Sequence, residues 1–329
     1  MSTEEKLVRS RLSDYLGVMT KLGAFGLTVL VVGCGYGAAT PKVVGANSGV
    51  TAVSAASLGT VTAKLAAAGD IACAKALSKP GCRAADTAAL VKRLNPKLVL
   101  ALGDLAYDSG SSAEFVNGYA PTWGQFKAKT FPVPGNHEYN TSGATAYRAW
   151  WGSIATPKGT SWHSTRIGGW LILGLDSNCD KIGGCGAASP QGKWLKGQLA
   201  AAPRCVLAIW HHPRRSSGPH GDNNSVQPLW AALSAKHADL VLNGHDHDYE
   251  RFSPMNASAN PAKVGMTEMV VGTGGKALYP LVKTTPGTKA SVQGMEGVLS
   301  LTLRQRGWDW KFITTSGAVR DSGSAACQV

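Results

Sequence analysis

Five times between residues 64 and 251 a short apolar run stops at a turn-forming residue beside aspartate, asparagine or histidine. The stretches are "KLAAAGDIA" (64–72), "LVLALGDLAY" (98–107), "FPVPGNHE" (131–138), "VLAIWHHP" (206–213) and "LVLNGHDHDYER" (240–251). A carboxylate at the end of a run as apolar as "LVLAL" cannot stay ionised in a dry interior without a compensating charge. Runs of this length bounded by glycine or proline read as buried strands. In open α/β sheets, groups just past the strand carboxyl ends face one shared crevice. Asp70, Asp104, Asn136, His211, His245 and His247 are therefore expected to meet in space although they are far apart in the chain.

The segments between these strands support an α/β domain. "AADTAALVKRL" and "VQPLWAALSAK" have helical periodicity, and "SPQGKWLKGQLAAA" places Ser189 as a cap ahead of Pro190 in the first turn. Beyond residue 265 the pattern becomes strand-rich, with "TEMVVGTGG", "GVLSLTLRQRG" and "WDWKFITTS". No internal repeat interrupts this order. We expect one catalytic domain over 61–329.

Ahead of it, Leu22 to Val32 is an apolar core too short for a membrane span, preceded by a lysine and followed by small residues, as in a secretory signal. "VVGC" also fits a lipoprotein processing box, which would leave Cys34 lipidated and attach the protein to a membrane. The first eighteen residues are long and acidic for such a leader, so translation is expected to start at Met19. The rival reading of "VLVVGCGYGA" as a dinucleotide-binding turn requires a following helix and an acid about twenty positions on. Pro41 comes instead, and no acid occurs between Asp14 and Asp70. Residues 1–34 are thus read as a signal, and 35–60, rich in Ala, Gly, Ser, Thr and Val, as a tether. The expected location is extracytoplasmic, secreted or anchored on the outer face.

Cysteine usage agrees with export. Without Cys34 six cysteines remain, and spacing suggests the pairs Cys73–Cys82, Cys179–Cys185 and Cys205–Cys327. The formal charge of +13 favours anionic partners in general. The basic residues are scattered with no aromatic ladder among them, which speaks against a dedicated nucleic-acid surface. A small phosphorylated substrate is one class of partner that such a charge can favour.

The donor set itself is informative. Carboxylate, amide oxygen and imidazole without cysteine suit hard or borderline cations such as iron, manganese or zinc. Six of the eight histidines lie in or just after the clusters; His163 and His237 lie outside and are read as ordinary. Taken singly, Asp70 or Asp104 could be a loop aspartate, Tyr107 a packing aromatic, and Asn136-His137 a turn. No G-x-S-x-G occurs, which argues against a serine hydrolase.

The order D…GD…GNHE…H…GHDH resembles the calcineurin-like metallophosphoesterases over about residues 60 to 320. Within them, "GDLAY" and "GHDHDYER" are similar to the purple acid phosphatases. The resemblance implies a βαβ sandwich of two mixed sheets flanked by helices. Where many family members carry a histidine two residues after the first aspartate, this chain has Ala72; purple acid phosphatases also lack that histidine and use the GDxxY tyrosine. Carried over residue by residue, the resemblance implies an Fe(III) site of Asp70, Asp104, Tyr107 and His247. A second ion, Fe, Zn or Mn, would take bridging Asp104 with Asn136, His211 and His245. His137 would contact the phosphate or the leaving oxygen, and His220, nine residues after His211, would face the substrate. The H-x-P pattern favours His211 over His212 as the ligand. Tyr249, Glu250 and Arg251 are expected to buttress the last motif.

The implied activity is hydrolysis of phosphate monoesters by metal-activated hydroxide attack. Phosphodiester cleavage at the same centre is the alternative. A catalytically silent surface-binding lipoprotein is the alternative of another class, and the complete donor set argues against it.

Overall fold

A computed structural model describes residues 43–44, 55–73 and 81–328. The expected signal up to Cys34 lies outside the described residues, as does most of the 35–60 stretch. The chain runs through β1 (Val43–Val44), β2 (Val61–Ala68), α1 (Ala84–Leu94), β3 (Leu98–Leu102) and β4 (Thr130–Val133). It continues through α2 (Thr145–Trp151), β5 (His163–Ile167), β6 (Trp170–Gly174), α3 (Pro190–Ala200), β7 (Cys205–Ile209), α4 (Gln227–Ser234) and β8 (Leu240–Asn243). The remainder is β9 (Tyr249–Phe252), β10 (Thr267–Val271), β11 (Thr288–Val292), β12 (Gly297–Arg304), β13 (Gly307–Thr314) and β14 (Val319–Ala326).

These strands form two mixed sheets, in the orders β1-β11-β9-β10-β8-β7-β6-β5 and β14-β13-β12-β2-β3-β4. The inner strands β10, β8, β7 and β6 of the first are parallel, as are β2, β3 and β4 of the second. Antiparallel strands complete both sheets, which is why the carboxy-terminal third reads as strand after strand.

Side-chain alternation explains the layering. Ile172, Leu207, Ile209, Leu242 and Val271 pack in the core shared by the two sheets. Their neighbours Leu173, Val206, Ala208, Val241 and Val270 face outward onto Leu195 and Leu199 of α3 and Leu229, Trp230 and Leu233 of α4. Both faces of the inner strands are therefore buried, so their sequences are continuously apolar. Two helix ends show their sequence signals. Ser189 Oγ accepts the Gly192 N–H at 3.0 Å ahead of α3. Asn95, with φ +43°, closes α1 just before Pro96.

Other elements carry weak signals in the sequence. The edge strand β5, the short α2 and the edge strand β14 are amphipathic or polar, and with the apolar β6 they lie outside the expected elements. Val43–Val44 pairs with β11, and Leu58 is buried, so packing starts ahead of residue 61. The disulfides join Cys73–Cys82, Cys179–Cys185 and Cys205–Cys327, matching the spacing argument. Among the described residues no helix is long and apolar enough to cross a membrane.

Candidate metal centre

The parallel strands of both sheets end at the same edge of the sandwich, where backbone bonds join them. Gly69, just past β2, donates its N–H to Val271 O at the end of β10 (2.9 Å), and Asp70 N–H reaches Gly103 O at 3.0 Å. Gly244 N–H reaches His211 O, also at 3.0 Å. Asp70, Asp104 and His245 follow the tips of β2, β3 and β8 with φ of +60°, +50° and +74°. Left-handed backbone at non-glycine residues is costly and concentrates at functional sites. Glycine at two neighbouring positions keeps room for the carboxylates: a Cβ on Gly135 would run into Asp104 Oδ1, and one on Gly244 into Asp70 Oδ2.

Four of the expected donors form one tight group. Tyr107 Oη lies 2.8 Å from Asp70 Oδ1, 3.0 Å from Asp104 Oδ2 and 3.1 Å from His247 Nε2. His247 Nε2 is 3.3 Å from Asp70 Oδ1, and its Nδ1 is held by Ala277 O at 2.6 Å. Asp104 Oδ2 also belongs to a second group, 3.2 Å from His211 Nε2, which in turn is 3.1 Å from Asn136 Oδ1. His211 Nδ1 is held by Leu102 O at 2.9 Å. The His245 ring lies 5.0 Å from that of His211. All seven residues expected to bind metal thus come together at one edge, and His211 rather than His212 touches Asn136 and Asp104.

The two expected substrate-facing histidines border the same space. His137 Nε2 is 3.8 Å from Asp104 Oδ2, and its Nδ1 is anchored on Asp108 O at 2.7 Å. His220 lies with its ring 4.1 Å from His245, and its Nδ1 is 2.9 Å from Asp246 Oδ1. The same Asp246 oxygen accepts the His220 backbone N–H at 3.0 Å, while Ser216 Oγ donates to the other oxygen. The Tyr279 ring stacks on His247 at 4.0 Å.

Charges here respond to one another. Burial works against ionising Asp104, but His211 and His137 outweigh it and hold the carboxyl well below the usual range. Burial likewise disfavours a proton on His211, yet Asp104 pushes it up to about 10. Burial and the charges of Asp104 and Asp70 push the Tyr107 phenol well above its ordinary value. Two carboxylates therefore keep the phenol neutral until a cation shares them, which would reverse the sign of that field.

The residues fit a pair of cations. Donor atoms spaced near 3 Å leave a centre about 2 Å from each, the bond length that carboxylate oxygen and imidazole nitrogen make to first-row metals. Asp70, Asp104 and His211 each offer an atom within 4.8 Å of the others'. Carboxylate, phenol and imidazole in one group suit a harder ion, and the more nitrogen-rich second group suits a borderline one. A third cluster, Cys205, Asp239 and Cys327, is not a comparable site because its two sulfurs are bonded to each other.

Four further residues, Glu138, Asp246, Ser177 and Tyr279, organise the centre, and the donor pattern in the sequence does not single them out. Glu138 is fully buried; Oε2 accepts the N–H of Asp104 (2.9 Å) and of Gly135 (2.7 Å), and Oε1 that of Leu105 at 2.8 Å. Asp246 orients His220, and Ser177 Oγ meets His212 Nδ1 at 2.8 Å. Glu138 and Asp246 sit inside quoted motifs, so position was the available signal. Ser177 follows β6 and Tyr279 lies in the β10–β11 loop, where the sequence offers none.

A two-sheet sandwich with paired metal donors at its joined strand tips defines a metallophosphoesterase fold. The family model for calcineurin-like phosphoesterases matches residues 63–249, and the chain belongs to that family. Purple acid phosphatase 15 of Arabidopsis thaliana is 27% identical over 231 residues, covering 58% of this chain and 42% of that protein. An uncharacterized protein of Mycobacterium tuberculosis is 28% identical over 209 residues, covering 53% of this chain and 38% of its own length. The match thus spans well under half the length of these relatives. The solved purple acid phosphatase of yellow lupin (Lupinus luteus) superposes with a TM-score of 0.62 at 20% identity, over 82% of this chain and 54% of that one, and shares the fold.

Proposed function

We propose that this chain is an exported, acid phosphatase-like enzyme that hydrolyses phosphate monoesters at a two-cation centre. The observation that carries this reading is the placement of Asp104 Oδ2 between Tyr107 Oη at 3.0 Å and His211 Nε2 at 3.2 Å. One carboxylate oxygen is thereby common to both donor groups, as a bridging ligand must be. Asp70, Asp104, Tyr107 and His247 would hold Fe(III); Asp104, Asn136, His211 and His245 would hold the second ion, Fe, Zn or Mn. When bound, such cations acidify water and neutralise charge on phosphoryl oxygens.

The chain's own groups do the rest. His137, fixed through Nδ1 on Asp108 O, presents its other nitrogen beside Asp104 and contacts the phosphate. His220, oriented through Nδ1 on Asp246, protonates the departing alkoxide. Similarity to plant purple acid phosphatases supports the monoester reading. Export is supported by three disulfides, which persist in oxidising compartments. Membrane attachment through lipidated Cys34 belongs to the same proposal.

The test compares wild type with Asp104→Asn and Asp104→Ala on p-nitrophenyl phosphate and bis-p-nitrophenyl phosphate, with metal analysis of each preparation. Loss of metal and monoesterase activity together supports the assignment. A metal-replete, fully active variant overturns it, and faster turnover of the diester makes the chain a phosphodiesterase. Two bound cations with no turnover of either ester favour the silent, ligand-binding alternative.

A further inference from the structure

The second donor group contains an imidazole that the family pattern does not use. His212, the middle residue of "HHP", lies with its ring 4.4 Å from His245 and 5.0 Å from His211. Each of the three rings offers a nitrogen within 4.8 Å of the others'.

His212 is held at three of its atoms. Its backbone N–H donates to Ser177 Oγ at 3.1 Å, its carbonyl accepts the Trp210 indole N–H at 2.8 Å, and its Nδ1 meets Ser177 Oγ at 2.8 Å. With Nδ1 engaged by the hydroxyl, Nε2 is the nitrogen left for the cluster. A second ring nitrogen fixed by a hydrogen bond is the usual arrangement of a metal-binding histidine.

We infer that His212 is a third imidazole of the second cation position, and that it makes this position select Zn(II) over Mn(II). The inference rests on the two-cation reading. Asn136 and Asp104 supply oxygen to that position, which suits either ion; His211, His212 and His245 supply nitrogen, which suits zinc better than manganese.

The experiment strips the purified protein of metal and titrates it by calorimetry with Zn(II), and separately with Mn(II). Wild type is compared with His212→Gln, His212→Asn and Ser177→Ala, with circular dichroism as the folding control. Wild type should take two zinc ions. Both His212 variants should lose about tenfold or more in zinc affinity at one position, while manganese affinity changes several-fold less. Ser177→Ala, which releases the ring without removing it, should show a smaller loss of the same kind. Folded His212 variants with unchanged zinc affinity overturn the inference and leave the two-cation reading intact. A wild type that takes a single zinc ion overturns that reading instead, and the inference with it.

Discussion

Glu138 and Asp104 are bound backbone to side chain: Glu138 Oε2 accepts the Asp104 N–H at 2.9 Å, and the same carboxylate also takes the N–H groups of Gly135 and Leu105. The acid that follows "GNH" thus fixes the turn bearing Asp104 and the one leading to Asn136. Glu138→Gln would keep one acceptor oxygen but turn an NH2 toward backbone donors, leaving at least one buried N–H unsatisfied at a cost of about 1–3 kcal/mol. We expect a folded, less stable protein with at least tenfold weaker metal retention. Metal analysis and urea denaturation of this variant check it; full metal content refutes the role.

Tyr107→Phe should keep the fold, since the ring is buried and only the hydroxyl is removed. A purple or pink iron-loaded wild type that becomes colourless in the variant is the expected outcome of phenolate ligation. Visible absorption at matched iron content reads it, and an unchanged band removes Tyr107 from the iron site.

Asp246→Ala should affect turnover more than binding. The carboxylate holds the His220 backbone N–H and Nδ1 together, and without it the ring can turn. We expect kcat to fall on the order of 10²-fold with KM little changed. The loss should be larger for phosphate esters with poor leaving groups, which need a proton most. An equal loss for good and poor leaving groups argues against this positioning role.

Acid should weaken the fold partly through His163. Its ring is buried against Phe131, with Nε2 2.8 Å from Pro132 O, and burial pushes its pKa down to about 4. Between that value and the ordinary one near 6.5, the unfolded chain binds a proton that the folded chain excludes. Stability therefore declines as pH falls through this window. From about pH 7 to about pH 5 the effect of this residue is about 2 kcal/mol. His163→Gln, which retains an N–H donor for Pro132 O, should flatten that part of the curve. Urea midpoints of wild type and variant across the range decide it; parallel curves would refute the assignment.

Cys205 and Cys327 close a separation of 122 residues and fasten the tail to the start of β7. Replacing both with serine should cost about 2–5 kcal/mol. The thermal midpoint should drop while metal content stays the same, because the pair lies away from the centre. Loss of metal at a temperature where the variant remains folded would show that the tail also shapes the site.

Much of the centre was legible in the sequence because chemistry and chain geometry coincide there. Each donor follows an apolar strand that has to be buried, and parallel strands leave their carboxyl ends at one edge. Asp70, Asp104, Asn136, His211, His245 and His247 could therefore be grouped without coordinates. The residues that align these donors were less visible: Ser177 is one serine among 27 until the fold sets it beside His212. The role of "YER" was anticipated only as a buttress. Its partner Asp321, which accepts from Tyr249 at 2.7 Å and from Arg251 at 2.7 and 2.9 Å, lies in β14 of the other sheet.

The sequence by itself determined the alternation of strands and helices, the helix caps, the donor types and their order, since these depend on local periodicity and on the cost of burying charge. Tertiary structure alone decided which oxygen is shared, which of two adjacent histidines reaches Asn136, and which backbone carbonyl, hydroxyl or carboxylate holds the second nitrogen of each ring. Those outcomes depend on the distance between strand tips in two different sheets, and no spacing along one chain encodes such a distance.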